Sequence, residues 1–323
     1  MTHTLNRRKT LQALGASLLP MPLIAAAQAA FPNKTVRIIV PLPASGAADV
    51  SVRMLAEFLQ QPLGQSIVVE NRPGGVYQIG VQAVATAPAD GYTLIHLNAT
   101  MCAVQASLKR FDMLKQFIPV GYMGSTDTML CISNNAPFKT TQEMIAWGKA
   151  NPGKINYGST GPGSMEHLSM VSIMQRVGIT GNNIPFKGGP DGALALAQGE
   201  IHAMPLAAPL IIQFKDKFKP IIALSEQRIP FLPDLPTAKE QGMDIPTVNY
   251  WGGLAAPAGT PASLVDKISA DVRDIVEMPD VKNRLIELGG IPKATSPADF
   301  SKLIDTDRKR YTAVIKDRAI TAD

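Results

Sequence analysis

The chain is predicted to fold as an α/β protein of two lobes with mostly parallel sheets. Short β-branched runs alternate with helical periodicity along most of its 323 residues, without long structureless gaps. A Gly/Pro/Ser-rich loop follows strand after strand, and residues 128–133 and 249–255 sit where a chain would cross between lobes. The expected division is residues 30–128 for the first lobe, 129–249 for the second, and 250–323 returning to the first.

Val36–Val40 is a β-branched run suited to a buried parallel strand. It opens into a loop over residues 41–46, after which Val52, Leu55, Ala56 and Leu59 mark one helix face. Asp49 is placed to cap free N–H groups at the start of that helix. A strand over 67–70, a loop over 71–75 and a helix over 76–85 repeat the unit. Residues 92–97 read as a strand after the turn Pro88-Ala89-Asp90-Gly91, and empty into Asn98-Ala99-Thr100. Thr140 with Glu143 forms a capping-box start to a helix that ends at Asn151-Pro152-Gly153. Residues 155–158 form a strand and 159–164 another loop, and Met170, Ile173, Met174 and Val177 share a face of the next helix. Residues 184–186 lead into Lys187-Gly188-Gly189-Pro190-Asp191-Gly192 and a short helix, and 201–204 and 220–224 read as strands. Helices over 261–278 and from Ser296-Pro297, with proline at the first helical position, close the chain. Two glycine-rich loops at helix N-termini along one sheet edge make a site for a small anion, at the edge where open α/β folds bind ligands.

Residues 1–29 are expected to be a cleaved signal peptide. Arg7, Arg8 and Lys9 form a basic start, residues 11–27 are mostly apolar, and Ala27-Gln28-Ala29 fits small-x-small cleavage. The route is the general secretory one or, from Arg7-Arg8, the twin-arginine one, and the destination is the periplasm. Loss of the signal removes three of 31 Lys+Arg and none of 26 Asp+Glu, leaving 28 against 26, or +2. This balance, without a basic run interleaved with aromatics or a basic amphipathic helix, argues against nucleic acid and membrane surfaces. Cys102 and Cys131 are too few for a disulfide framework and read as buried thiols, and the 14 methionines read as core filler. Glu166-His167 has no second ligand at i+3 or i+4, so no zinc site is expected. Residues 158–163 lack the Gly-x-Ser-x-Gly elbow that would make Ser159 a nucleophile. Lys187-Gly188-Gly189 lacks the Walker order. No cofactor, metal or catalysis is expected, and the protein is expected to be a monomer.

Longer motifs carry a family resemblance. Ile39-Val40-Pro41-Leu42-Pro43-Ala44-Ser45-Gly46-Ala47-Ala48-Asp49, Val69-Glu70-Asn71-Arg72-Pro73-Gly74 and Ala89-Asp90-Gly91-Tyr92-Thr93-Leu94 occur in this order. They are followed by Asn151-Pro152-Gly153-Lys154-Ile155-Asn156-Tyr157, Phe231-Leu232-Pro233-Asp234-Leu235-Pro236-Thr237 and Leu254-Ala255-Ala256-Pro257-Ala258-Gly259-Thr260-Pro261. Over the whole mature chain the sequence resembles the Bug family, the extracytoplasmic solute receptors of tripartite tricarboxylate transporters. The resemblance implies a periplasmic binding protein of the Venus-flytrap, type II-like fold that closes on a small carboxylate. It implies that backbone N–H groups and ordered waters hold the ligand, and that a membrane permease receives it. A sensor-kinase ectodomain is the alternative partner, and a bilobal hydrolase or lyase the alternative activity.

The expected site gathers Ala44, Ser45, Gly46 and Ala48 from the first loop, Gly74, Gly75 and Tyr77 from the second, and Thr100 after the third strand. Ser159, Thr160, Ser164, His167, Gly188, Gly189 and Leu206 join from the second lobe. Gly75 is expected to give close backbone approach to the ligand. His167 either reaches the ligand or bonds a loop carbonyl. Arg72 reads as a loop strut, His96 and His202 as packed or solvated, and Tyr77 as a stacking wall ahead of an interlobe lid. The resemblance has Ala-Gly-Gly-Asn where this chain has Gly75-Val76-Tyr77-Gln78. It has two acids in the stretch where this chain has Ile201-His202-Ala203-Met204-Pro205-Leu206. Loss of those acids, with Tyr77 and Phe186 adding apolar surface, favours an aromatic or unsaturated acid over an amino acid, whose ammonium would lack a partner.

Overall fold

The computed structural model describes residues 31–243, 245 and 248–317; the expected signal peptide lies outside them. Strand β1 (Val36–Val40) lies between β2 (Ile67–Asn71) and β3 (Thr93–Asn98), parallel to both. Its side chains alternate between two cores. Val36, Ile38 and Val40 pack with helix α1 (Ala47–Leu63), whereas Ile39 joins a separate cluster with Ile95 and Leu97. Buried on both faces from Ile38 to Val40, the strand reads there as an apolar run without polar alternation, whereas Arg37 reaches the surface and pairs with Glu70. In α1 the stripe Val52, Leu55, Ala56 and Leu59 is buried, and Gly64, at φ +63, ends the helix in the left-handed region.

After α2 (Gln78–Ala85), β3 runs into α3 (Ala99–Leu108) and a short α4 (Met113–Gln116). The 17-residue β4 (Phe117–Ser133) joins the two lobes. Phe117–Asp127 pairs antiparallel with β9 (Asn249–Pro257). From Thr128 onward it pairs with β7 (Ala203–Ala207) and, one residue later, with β8 (Phe218–Ala223), both antiparallel. In the second lobe β5 (Ile155–Ser159) lies between β6 (Gly181–Pro185) and β7, parallel to both. Helices α5 (Thr141–Ala150), α6 (Met165–Val177), α7 (Gly189–Gln198) and α8 (Ala208–Gln213) connect these strands. Strand β9 returns to the first lobe, antiparallel to β3. The chain ends with α9 (Ala262–Glu277), α10 (Pro279–Glu287), β10 (Gly290–Ile291) and α11 (Pro297–Asp317). Outer parallel strands therefore flank an antiparallel pair, β9 and β4, under the cleft.

Cys102 and Cys131 are free and buried. Thr140 caps α5 by accepting from the Glu143 N–H at 3.2 Å, and Glu143 accepts from the Lys139 N–H at 2.7 Å. Among the described residues no helix is long and apolar enough to cross a membrane.

Asp49 does not cap its own helix. Its carboxylate, only 4% exposed, accepts from the Ser45 N–H at 2.9 Å, from Arg53 at 3.0 Å and from Asn71 Nδ2 at 2.8 Å. It thereby ties the first two loops together. Burial alone would raise its pKa, but Arg53, Ser45 and Asn71 together hold it below the ordinary 3.8. A depressed folded-state pKa adds stability above 3.8 that is lost as pH falls through and below that value. Asp49→Asn should therefore lower stability at pH 7 by roughly 1–2 kcal/mol. The gap between variant and parent in urea denaturation should close as the solution is acidified below that range. A gap constant down to acid pH would contradict this assignment.

Candidate functional site

Two helix N-termini from opposite lobes meet across the cleft. The caps of α1 and α7 are Gly46 and Gly188, and neither has a side chain to satisfy the first N–H groups. The first N–H to bond back is that of Val50 in α1 and that of Gly192 in α7, which leaves the Ala47, Ala48 and Gly189 donors without helical partners. The loops are in close contact. A Cβ on Gly46 would lie 3.6 Å from the Pro190 ring, and one on Gly188 would lie 2.9 Å from the Pro43 ring. Uncapped N–H groups with aligned peptide dipoles favour an anion, and they do so without an arginine.

These termini border a cavity of about 160 Å³; one of about 150 Å³ holds a molecule the size of benzene. Its apolar wall includes Leu42, Pro43, Met123, Leu206, Leu210 and Trp251. Its polar wall comes from His96, Asn98, Thr100, Thr160, Glu166, Tyr77 and Tyr250. Asn98 caps α3 by accepting from the Met101 N–H through Oδ1, while its Nδ2 has no partner among the described residues. His96 Nδ1 likewise has none, and burial lowers the His96 pKa to about 4, so the ring is neutral at physiological pH. Unpaired polar atoms buried in a wall cost about 1–3 kcal/mol each, which a ligand offering a partner recovers.

Glu166 is 3% exposed and stands in the first turn of α6. It accepts from the Thr160 hydroxyl at 2.9 Å and from the Tyr250 hydroxyl. Tyr77 shares hydrogen bonds with Thr100 of the first lobe and Thr160 of the second. Burial first, and then the Glu166 charge, pushes the pKa of both phenols up, so both remain hydroxyls. Tyr77 is thus both a cavity wall and a strut between lobes. Its turn is strained: Gly74, Gly75, Val76 and Tyr77 all have positive φ, at +116, +60, +51 and +72. For a β-branched residue such as Val76 this is unfavourable by about 1–2 kcal/mol.

Of the expected residues, Gly46, Ala48, Tyr77, Thr100, Thr160, Gly188, Gly189 and Leu206 lie in the cavity wall. Ala44, Ser45, Gly74, Gly75, Ser159, Ser164 and His167 lie outside it. Ser45 directs its N–H to Asp49, and a Cβ on Gly75 would meet Gln78 at 3.4 Å. Ser159 bonds within its own loop and Ser164 caps α6. His167 Nδ1 accepts from the Gly163 N–H at 3.0 Å, and its ring stacks on Tyr157. Arg72 pairs with Glu70. Phe186 packs into the second-lobe core instead of the cavity.

The cleft does contain an acid. Leu206 is in the wall as expected, and His202 accepts from the Asn156 N–H beside Phe138 and Trp147. Glu166 supplies a carboxylate from α6 instead, so the argument that an ammonium would lack a partner does not hold. Asn98, His96, Glu166 and Tyr250 are the wall residues that sequence reasoning missed. Tyr250-Trp251 was the available signal, because a strand that crosses between lobes must pass under the cleft.

The profile of the family described as "Tripartite tricarboxylate transporter family receptor" matches residues 51–320. A protein of Cupriavidus necator, "UPF0065 protein in gbd 5'region", is 30% identical over 309 residues, 94% of this chain and 92% of that protein. Among solved structures, Rpa4515 of R. palustris with adipate superposes with TM-score 0.86 at 27% identity, over 90% of this chain and 99% of that one. Periplasmic binding protein BugD gives 0.84 at 26%, over 90% and 99%. MatC from Rhodopseudomonas palustris with bound malate gives 0.82 at 27%, over 88% and 100%.

Proposed function

The chain belongs to the tripartite tricarboxylate transporter receptor family, and from that premise we propose that it is a periplasmic solute receptor that closes on one small carboxylate with an aromatic or unsaturated body. The observation that carries the reading is the pair of uncapped helix N-termini, α1 and α7, facing each other over one small cavity. They supply donors for a carboxylate and are contributed by different lobes, so binding and closure are the same event. Relatives solved with adipate and with malate support the carboxylate class. The apolar wall and Tyr77, in place of the small residues of the resemblance, favour a flat apolar body over a chain of carboxylates. The closed form is then read by a membrane permease of the tripartite type. Export by a cleaved signal places the receptor in the periplasm.

The test is thermal shift on the mature protein. Aromatic and unsaturated mono- and dicarboxylates should raise Tm more than aspartate, glutamate or citrate. A ligand at 100 times its Kd adds about 2.7 kcal/mol. Tyr77→Ala should weaken the best binder by on the order of 1 kcal/mol in calorimetry, the value of one aromatic contact. A shift with citrate or glutamate and none across the aromatic panel would return the protein to receptors of polar acids.

A further inference from the structure

Glu166 is a buried carboxylate in the wall of a cavity that otherwise suits an anion. No ion pair among the described residues includes it. Its two hydroxyl donors, from Thr160 and Tyr250, occupy two of the roughly four acceptor positions of a carboxylate. The dipole of α6 favours a negative charge in the first turn, but that effect is at most about 2 kcal/mol. A buried charge without a counter-charge is costly, and a ligand carboxylate in the same small cavity adds repulsion. The neighbouring groups do not remove that repulsion. Tyr77 and Tyr250 are neutral phenols, Thr100 and Thr160 are neutral hydroxyls, and His96 is neutral near physiological pH.

We propose that Glu166 sets specificity by accepting from a cationic nitrogen on the ligand, so that the solute is a carboxylic acid that also carries an amine. The inference rests on the carboxylate reading above and deepens it. The helix N-termini take the acid group and Glu166 takes the ammonium. A neutral-sum ligand then leaves no unpaired charge in the closed cleft.

Matched pairs test this directly: 3- and 4-(aminomethyl)benzoate against 3- and 4-methylbenzoate, by calorimetry on the mature protein. The better amine should bind at least about tenfold more tightly than its methyl partner, equivalent to about 1.4 kcal/mol. In Glu166→Gln, which keeps the side chain's size and one acceptor, that ratio should fall towards unity. Tyr250→Phe keeps the carboxylate and should keep the preference, which holds the proposal open to test should Glu166→Gln fold poorly. Methyl acids that bind as tightly as the amines, or an amine preference intact in Glu166→Gln, would overturn the assignment while leaving the carboxylate reading standing. Absence of binding by every acid in both sets, together with a flat thermal panel, would overturn that reading and this inference with it.

Discussion

Gly188→Val should cost between about 5- and 150-fold in affinity for the acid that stabilises the wild type most, with little change in the ligand-free Tm. The backbone of Gly188 is extended, at φ −171, so valine fits there without strain. The difficulty lies across the cleft. A Cβ at this position would sit 2.9 and 3.0 Å from two ring atoms of Pro43, and a proline ring cannot swing away as a long side chain can. Overpacking of this kind costs about 1–3 kcal/mol. It acts when the lobes close, so it subtracts from binding, and an open ligand-free form escapes it. Gly75→Val is the informative contrast. At φ +60 the substitution strains the turn whatever the space, and its Cβ would point at Gln78 and Ile79. Loss of ligand-free stability is expected there, with wedging expected at Gly188. Unchanged affinity in Gly188→Val would mean that closure does not bring these loops together.

Helix α1 was legible in the sequence because one of its faces is buried and the other exposed. Val52, Leu55, Ala56 and Leu59 line the buried face, whereas Val50, Arg53, Glu57 and Gln60 on the other side meet solvent. Helix α3 was not legible for the opposite reason. Ala99, Thr100, Met101, Cys102, Ala103, Val104 and Gln105 are all buried, and a helix buried all round has no periodicity to read. The first half of β4 was hidden by Pro119, Gly121 and Gly124, where its register against β9 shifts twice. Irregularities of this kind bend and twist a strand and break the alternation on which a sequence reading depends.

The site divides in the same way. Helix N-termini could be placed because glycine-rich loops mark them, and these termini bring Gly46, Ala48, Gly188 and Gly189 to the cavity. Wall residues that depend on an unread element could not be placed: Asn98 is the cap of α3, and Tyr250 lies on β9. The left-handed turn at Val76 and Tyr77 had no local signal, since neither residue type favours positive φ. Only the strut from Tyr77 to Thr100 and Thr160 shows what holds it. Glu166 has the position of an ordinary first-turn acid, and only the tertiary fold turns it into the cleft.

Phe300→Ala should destabilise the protein by about 3–5 kcal/mol, the cost of emptying a large aromatic site. At roughly 2–4 °C per kcal/mol for a chain of this size class, Tm should fall by roughly 10 °C. Phe300 of α11 is completely buried. Its ring meets Trp251 edge-on at 5.4 Å and Tyr122 at 5.8 Å. It also fills the space over Gly253, where a Cβ would be 2.5 Å from the ring. No side chain can move in to fill the void from β9, because the residue beneath is glycine. The effect should reach the ligand as well. Trp251 belongs to the cavity wall, held from behind by Phe300 and by its indole N–H donating to Asp307 at 2.5 Å. Removing one of these supports leaves the indole less fixed, so affinity should fall along with stability. Phe300→Leu, which keeps most of the volume, should recover much of both. A Tm within about 2 °C of the parent in Phe300→Ala would show that α11 does not anchor the first lobe as this packing requires.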